Sequence, residues 1–413
     1  MTPFTRFSRA ALARLGREYM LAAQFNSRTG YAALRMRHGD EAYQDIAIAN
    51  WMGASPVYTR RMQRAMGFAN DDGVATIFKG LQLECGFTHQ YFDAHFALDS
   101  AGSGRFWLQR CGALLETEPR GEEAVRIMCH DIEDPTFDAT AVATNPRAQV
   151  RPIHRPPRIP ADRVPHCEWR VSIDPDNEPV AEHPLVALMA KTQLAQIGLA
   201  RPPSSEHGGL PDYSGPLMEQ LHLEQLSQDA LVLVCAELAV QVQLLVATMM
   251  AAVSDRYGAE SAAAIAGFQL AGSGWVVSER LLRWLPDPPS GLARIKSVLE
   301  VHPAFQPLAY SGMQLHQIHG DRLRLSLCPD APAAQDEFGW QPMLRCGGVS
   351  DLCKLVQGVD RRARIEAVTD LIWDIVLSEG ESSVDEEPLS VQIAKSTVLY
   401  QTKLQDRVQL LQL

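Results

Sequence analysis

The sequence predicts an α+β protein built from two related halves, each a helical layer packed on an antiparallel sheet. Long runs with helical spacing of apolar residues are interleaved with shorter runs that alternate as strands do. The same order of helices and hairpin recurs in the second part of the chain. Two cysteine pairs, Cys111 with Cys129 and Cys328 with Cys346, are also equally spaced. Together these observations predict an internal duplication.

The boundary between the halves is predicted at 204–216. Its sequence, "SSEHGGLPDYSGP", is rich in glycine, serine and proline, which is typical of a connecting segment. We therefore place the first half at 1–203 and the second at 217–413. A chain of 413 residues can form two such units without disulfides or a structural metal.

The first half is predicted to begin with helices over residues 5–70. Ser55 and Pro56 suit the N-cap and first position of a helix that ends at Gly67, and another helix follows at about 72–84. Two alternating runs on either side of "SAGSG" predict a β-hairpin. The next segment, "EAVRIMCHD", is interpreted as a third strand.

A proline-rich segment at 142–165 separates the third predicted strand from the fourth. Proline lacks the backbone N–H that helices and central strands use, so we expect an ordered, extended crossing. The fourth strand is predicted in "HCEWRVSID", directly after this crossing.

The second half is predicted to repeat this order. A helix over about 227–256 ends at Tyr257 and Gly258, and "AESAAAIAGFQLAG" forms the next helix. "GMQLHQIHGDRLRLSLC" predicts a hairpin, and "LRCGGVSDLC" is the predicted counterpart of the third strand, without its acidic residues. An amphipathic helix is predicted over about 359–378, where four apolar side chains share one face: Ile365, Val368, Ile372 and Ile375.

Charge and motifs exclude several classes of function. The net charge of −11 argues against nucleic acid as a partner, since phosphate binding needs a broad basic surface. The chain lacks a P-loop, a Rossmann glycine motif, a serine-hydrolase elbow and an H-E-x-x-H motif. No nucleotide cofactor is therefore expected.

The most apolar segment, at 230–253, predicts a buried helix rather than a membrane span, because Glu237 and two glutamines interrupt it. The arginine-bearing N-terminus has no uninterrupted apolar run, so we expect a helix packed on the protein and no secretory signal. These features predict a cytoplasmic homo-oligomer whose eight cysteines are reduced.

An acidic run, "RIMCHDIEDPTFDATA", is the first candidate site. Asp131 and Glu133 could act as a general base or bind a divalent metal such as zinc, manganese or iron, with Cys129 and His130 as further ligands. The alternative is an acidic exit from a strand, since the acids stand directly before Pro135.

An arginine-rich segment, "RPIHRPPRIPADRVPHCEWR", is the second candidate site. Arg151 and Arg155, with the nearby Arg147, could grip the carboxylate of a small organic acid, and neighbouring arginines would keep His154 neutral as a base. The acidic run offers partners of opposite charge within the chain. The alternative is that the arginines only fix the proline-rich crossing.

Two doublets flank this crossing, Cys129-His130 before it and His166-Cys167 after it. Thiols and imidazoles together suit zinc. Because neighbouring residues of a strand face opposite ways, at most the two cysteines or the two histidines would converge. Ordinary packing of buried cysteines is the alternative.

The segment from Cys129 to Cys167 resembles the L-2-amino-thiazoline-4-carboxylic acid hydrolase-like family. The resemblance covers about a quarter of the chain and includes the helix that ends at Tyr257-Gly258. The matching positions are Cys129, Asp134, Phe137, Asn145, Pro146, Arg151 and Cys167. The resemblance implies an α+β fold and an activity that opens a C–N or C–S ring bond in a small carboxylic acid.

The sequence as a whole predicts a metal-assisted hydrolase or lyase that acts on a small or medium organic acid. The alternative is a non-catalytic protein that binds an apolar ligand or a partner subunit, which the apolar segment at 230–253 favours.

Overall fold

The computed structural model describes residues 2–203, 205–379 and 386–401. The α-helices are α1 (Arg9–Ala65), α2 (Val74–Gln82), α3 (Gly112–Thr117), α4 (Glu122–Arg126), α5 (Glu133–Val142), α6 (Pro184–Met189), α7 (Gln193–Gln196), α8 (Gln228–Tyr257), α9 (Ala259–Trp284), α10 (Gly291–Leu299), α11 (Leu308–Ser311), α12 (Trp340–Arg345), α13 (Val349–Gln357), α14 (Leu389–Lys395) and α15 (Val398–Gln401). The strands are β1 (Phe92–Ser100), β2 (Ser103–Cys111), β3 (Ala148–His154), β4 (Cys167–Ile173), β5 (Met313–Ile318), β6 (Arg322–Leu327), β7 (Ala363–Thr369) and β8 (Ile372–Leu377).

Two four-stranded antiparallel sheets share one topology. The first has the order β1-β2-β4-β3 and the second the order β5-β6-β8-β7. In each sheet two hairpins join through their second and fourth strands, and helices separate the hairpins in sequence. The predicted α+β fold in two related halves is therefore confirmed. Each sheet lies within one predicted half, and the boundaries of the halves stay a prediction.

The long helix α1 starts and stops as its sequence indicates. Ser8 caps it by accepting a hydrogen bond from the backbone N–H of Ala11, and Gly67 follows its end with a φ of 74°. Gly39 interrupts it with a φ of 87°. The prediction that Ser55 and Pro56 begin a separate helix is wrong, because both are buried inside α1, where packing offsets the N–H that proline lacks.

A shared helical layer joins the two halves, because α1 packs against both α8 and α9. As predicted, α8 is a buried helix. By length and composition α8 could span a membrane, and its most apolar 18-residue window is 100% buried inside the protein. Glu237, which interrupts that window, binds Arg61 of α1 in bidentate fashion at 2.8 and 2.9 Å.

The prediction of a third strand at "EAVRIMCHD" is wrong. This segment is helical: α4 is followed by a π-helical turn, Ile127–Ile132, which leads directly into α5. Val125 and Cys129 are both buried, and a spacing of four residues places them on one helix face as well as on one strand face. Pro135 is the third residue of α5 and lies just after the π-helical turn, so its missing N–H falls where the regular i→i−4 hydrogen bonds of an α-helix are already interrupted. The predicted counterpart "LRCGGVSDLC" is likewise helical, in α12 and α13.

The predicted helix at about 359–378 is also wrong, because the segment forms the hairpin β7–β8. Ile365 lies directly opposite Ile375 in this hairpin, whereas Val368 is 48% exposed. Isoleucine, valine and threonine are frequent here, and such β-branched residues suit a pleated, half-buried surface better than a helix.

The proline-rich crossing contains the edge strand β3, and β4 lies between β3 and β2. Pro152 is tolerated because β3 has a neighbour on only one side. Trp169 of β4 is fully buried, and its ring meets Phe137 of α5 edge-on at 4.8 Å and stacks with Phe106 of β2 at 6.3 Å. This aromatic core fixes α5 on the first sheet.

Candidate functional site

An apolar cleft lies between the helical layer and the first sheet. It encloses about 700 Å³ of empty space, including its open mouth. Its walls come from α1, the segment after α2, strands β1 and β2, and the helical run that ends in α5. The apolar walls are Trp51, Phe87, Phe92, Leu108, Ala113, Met128, Ile132 and Phe137, and the charged side chains are Arg28, Glu84 and Glu133. An apolar cleft with a few polar groups is the usual form of a small-molecule site.

Glu133 belongs to the predicted acidic run, and its side chain lines this cleft. Burial raises the pKa of its carboxyl to about 8; the charge of Asp134 adds to the effect and that of Arg155 opposes it. Near neutral pH this carboxyl can therefore both give and accept a proton, which general acid–base catalysis requires.

Glu84 is a second carboxyl in the same cleft, and it is 5% exposed. Burial raises its pKa to about 8 as well. Its Oε2 atom has no hydrogen-bond partner among the described residues. A buried polar atom without a partner is costly for the fold, so it marks a position where a ligand group could bind.

Arg28 brings positive charge to the lining of the same cleft. Its Nε atom lies 3.0 Å from Glu116 Oε2, and its Nη2 atom donates to the hydroxyl of Tyr91 at 3.2 Å. The side chain reaches the cleft from α1, whereas Glu133 belongs to the first turn of α5. A guanidinium held in this way is oriented to meet an anionic or carbonyl group.

The other acids of the run bind arginines of the chain. Asp131 pairs with Arg126 at 2.5 Å and also accepts from Gln44 at 3.3 Å. Asp134 pairs with Arg155, and Asp138 accepts from Arg151 and from the backbone N–H of Val150, each at 2.8 Å. The predicted base Asp131 thus does not line the cleft.

The arginine-rich segment is held mainly by contacts within the first half. The predicted anion-binding residues Arg151 and Arg155 contact carboxylates of α5, and Arg147 donates to the backbone oxygen of Asn177. His154 Nε2 donates to the backbone oxygen of Pro165 at 3.0 Å. These contacts fix β3 and the loop after it, and the predicted binding roles of these residues stay predictions.

Of the predicted metal ligands, Cys129 and His130 lie in the π-helical turn, whereas Cys167 begins β4 and His166 directly precedes it. His130 donates to the backbone oxygen of Pro156 at 2.7 Å, whereas His166 Nδ1 accepts from the N–H of Cys111 at 3.2 Å. Burial, together with nearby Arg158, lowers the pKa of His166 to about 4. Burial raises the pKa values of the Cys129 and Cys167 thiols.

Metal binding by these residues has no support in their arrangement. Within residues 2–203, 205–379 and 386–401, no group of three or more His, Cys, Asp or Glu side chains is placed to hold a metal ion. The predicted metal therefore has no such ligand group among the described residues, and metal binding stays a prediction.

The cysteines are expected to differ widely in reactivity. Cys346 is exposed, whereas Cys129 and Cys167 are buried thiols with raised pKa values. Iodoacetamide should alkylate Cys346 at least about tenfold faster than either buried thiol, because the thiolate is the reacting form. Peptide mapping of native protein over time measures this, with Cys346→Ser as the control. Equal rates at Cys129 and Cys346 would contradict the buried arrangement.

Sequence reasoning missed Arg28, Trp51 and Glu84. Glu84 had a usable signal, since it is a single acid between Leu83 and Cys85 in an apolar stretch, and a buried acid needs a reason. Arg28 had none, because it looks like any polar residue of a long helix.

Comparisons with known proteins add no relative: no family model, curated protein or solved structure matches this chain. The resemblance stated from the sequence stays a prediction, and the function has to be argued from the cleft itself.

Proposed function

We propose that the cleft binds a small organic acid with an apolar body, and that Glu133 transfers a proton in its hydrolysis or in an elimination. The observation that carries this proposal is a carboxyl whose burial raises its pKa to about 8, in an apolar cleft that Arg28 also lines. Strongly shifted pKa values in a concave site are typical of catalytic groups.

The roles follow from charge and burial. Glu133 is mostly protonated at neutral pH and can protonate a leaving group; its ionised form is a stronger base than an ordinary carboxylate. Glu84 is mostly protonated too and can donate a hydrogen bond to a carbonyl oxygen of the ligand. Arg28 stabilises negative charge on the ligand, and the aromatic walls hold its apolar body.

Replacing Glu133 by glutamine tests this role, because glutamine keeps the size of the side chain and cannot transfer the proton. Wild-type protein is incubated with a panel of medium-chain hydroxy acids and cyclic amides that carry a carboxylate, and mass spectrometry detects gain or loss of water. We expect turnover of at least one compound, and a rate about 10²–10⁴-fold lower in Glu133→Gln.

The matched control is Glu122→Gln, an exposed acid of α4 that should leave turnover unchanged. The affinity for the substrate should change little in Glu133→Gln, because the proposed role of Glu133 is to transfer a proton and not to hold the substrate. Equal turnover by wild type and Glu133→Gln would exclude the proposed role.

A second candidate function is non-catalytic binding of an apolar ligand, which the apolar walls of the cleft favour. Native mass spectrometry of the purified protein distinguishes the two. A hydrophobic molecule retained at one per chain, together with no turnover of the panel, would favour the second candidate.

A further inference from the structure

A second cavity adjoins the cleft, because Arg28 and Met128 line both. It encloses about 1250 Å³ including its mouth. It is surrounded by α1, by α3 with the segment after it, and by residues of the C-terminal helices. Three arginines line this cavity, namely Arg28, Arg35 and Arg120. We call it the arginine cavity.

The arginines retain unused hydrogen-bond donors. Arg28 contacts Glu116 and Tyr91 through Nε and Nη2, and its Nη1 atom has no partner among the described residues. Arg35 stacks over the ring of Tyr43 at 3.8 Å, and its Nε atom lies 2.7 Å from Asp40 Oδ1. Its Nη atoms have no hydrogen-bond partner among the described residues. Both of its Nη atoms therefore keep donors for a ligand.

Arg120 is exposed and has no carboxylate partner in the part of the chain that the structure describes. Burial, the largest effect, and the charge of Asp40 raise the pKa of the Tyr43 hydroxyl, whereas Arg28, Arg35 and Arg120 each lower it, so the charges of the three arginines converge on one place. Glu116 is the carboxylate that lines this cavity, and Arg28 binds it. Positive charge is thus in excess among the lining residues.

We propose that the arginine cavity binds the anionic head of the ligand, a carboxylate or a phosphate, while the apolar body lies in the adjoining cleft. This inference rests on the proposed function and specifies its ligand as an amphipathic organic anion. Arg28 lines both spaces, and Arg35 and Arg120 line the arginine cavity. Guanidinium groups bind such anions through paired N–H donors.

Calorimetric titration of the full chain with octanoate and octanamide tests the inference, because the two probes share a chain length and differ in charge. Wild type should bind octanoate about tenfold more tightly than octanamide. The double variant Arg35→Gln/Arg120→Gln should lose that tenfold preference and bind octanamide as wild type does. Octanamide binding thereby also reports that the variant is folded.

The matched control is Arg37→Gln, an exposed arginine of α1 that does not line the arginine cavity. It should keep the wild-type preference for octanoate. Equal binding of octanoate and octanamide by wild type, or an unchanged preference in the double variant, would overturn the inference and leave the cleft intact. Failure of both probes to bind would overturn the proposed function as well.

Discussion

Glu84→Gln is expected to be more stable than wild type at pH 8 and equal to it near pH 4. The folded state holds the pKa of Glu84 at about 8, whereas the unfolded chain has its usual value of 4.5. Between these values folding requires proton uptake, so the stability of wild type falls as pH rises from 4.5 to 8. Glutamine does not titrate, so Glu84→Gln lacks this dependence of stability on pH. The gain at pH 8 should be on the order of 4 kcal/mol in the free energy of unfolding.

Urea denaturation of both proteins between pH 4 and pH 8.5 measures this difference. The exposed Glu122→Gln should track wild type across the range. If the stability difference between Glu84→Gln and wild type does not grow with pH, then Glu84 is not a buried, protonated carboxyl, and its role in the cleft fails with it.

Arg280→Met is expected to destabilise the fold by about 3–5 kcal/mol, because it leaves the carboxylate of Glu18 buried without its main partner. Glu18 is 3% exposed and accepts from Arg280 Nε at 2.6 Å and Nη2 at 2.8 Å. The pair connects α1 of the first half with α9 of the second. Urea denaturation measures the loss.

The double variant Glu18→Gln/Arg280→Met tests whether the loss of stability comes from leaving the charge of Glu18 without its partner. With both charges removed we expect most of the lost stability to return, because a neutral pair carries no unmatched charge. A double variant as unstable as Arg280→Met alone would show that the loss comes from packing around Arg280.

The spacing of apolar residues correctly predicted those elements whose spacing fits only one type of secondary structure. The hairpin β1–β2 and the helix α8 follow this rule. Val125 and Cys129 fit a strand face and a helix face equally well, so the segment was assigned to the wrong class. Ile365 and Ile375 are spaced as on a helix face only because a turn separates them. They pair directly across β7 and β8, and this pairing depends on the tertiary structure.

The candidate site was predictable only in part. The density of acidic residues predicted a site in the run that contains Glu133, and Glu133 does line the cleft. The run's other acids find arginine partners such as Arg151, which sequence cannot distinguish from ligand-binding arginines. Glu84 and Arg28 come from separate elements, and only packing of α1 on the first half brings them together.

The shared helical layer has a consequence for synthesis on the ribosome. The hydroxyl of Tyr19 in α1 donates to the backbone oxygen of Val301, a residue 282 positions later. The apolar face of α1 therefore emerges long before α8 and α9 exist to cover it. Such late closure slows folding and leaves apolar surface exposed to aggregation. The nascent first half is thus expected to keep this face exposed until α8, α9 and the segment around Val301 have been made.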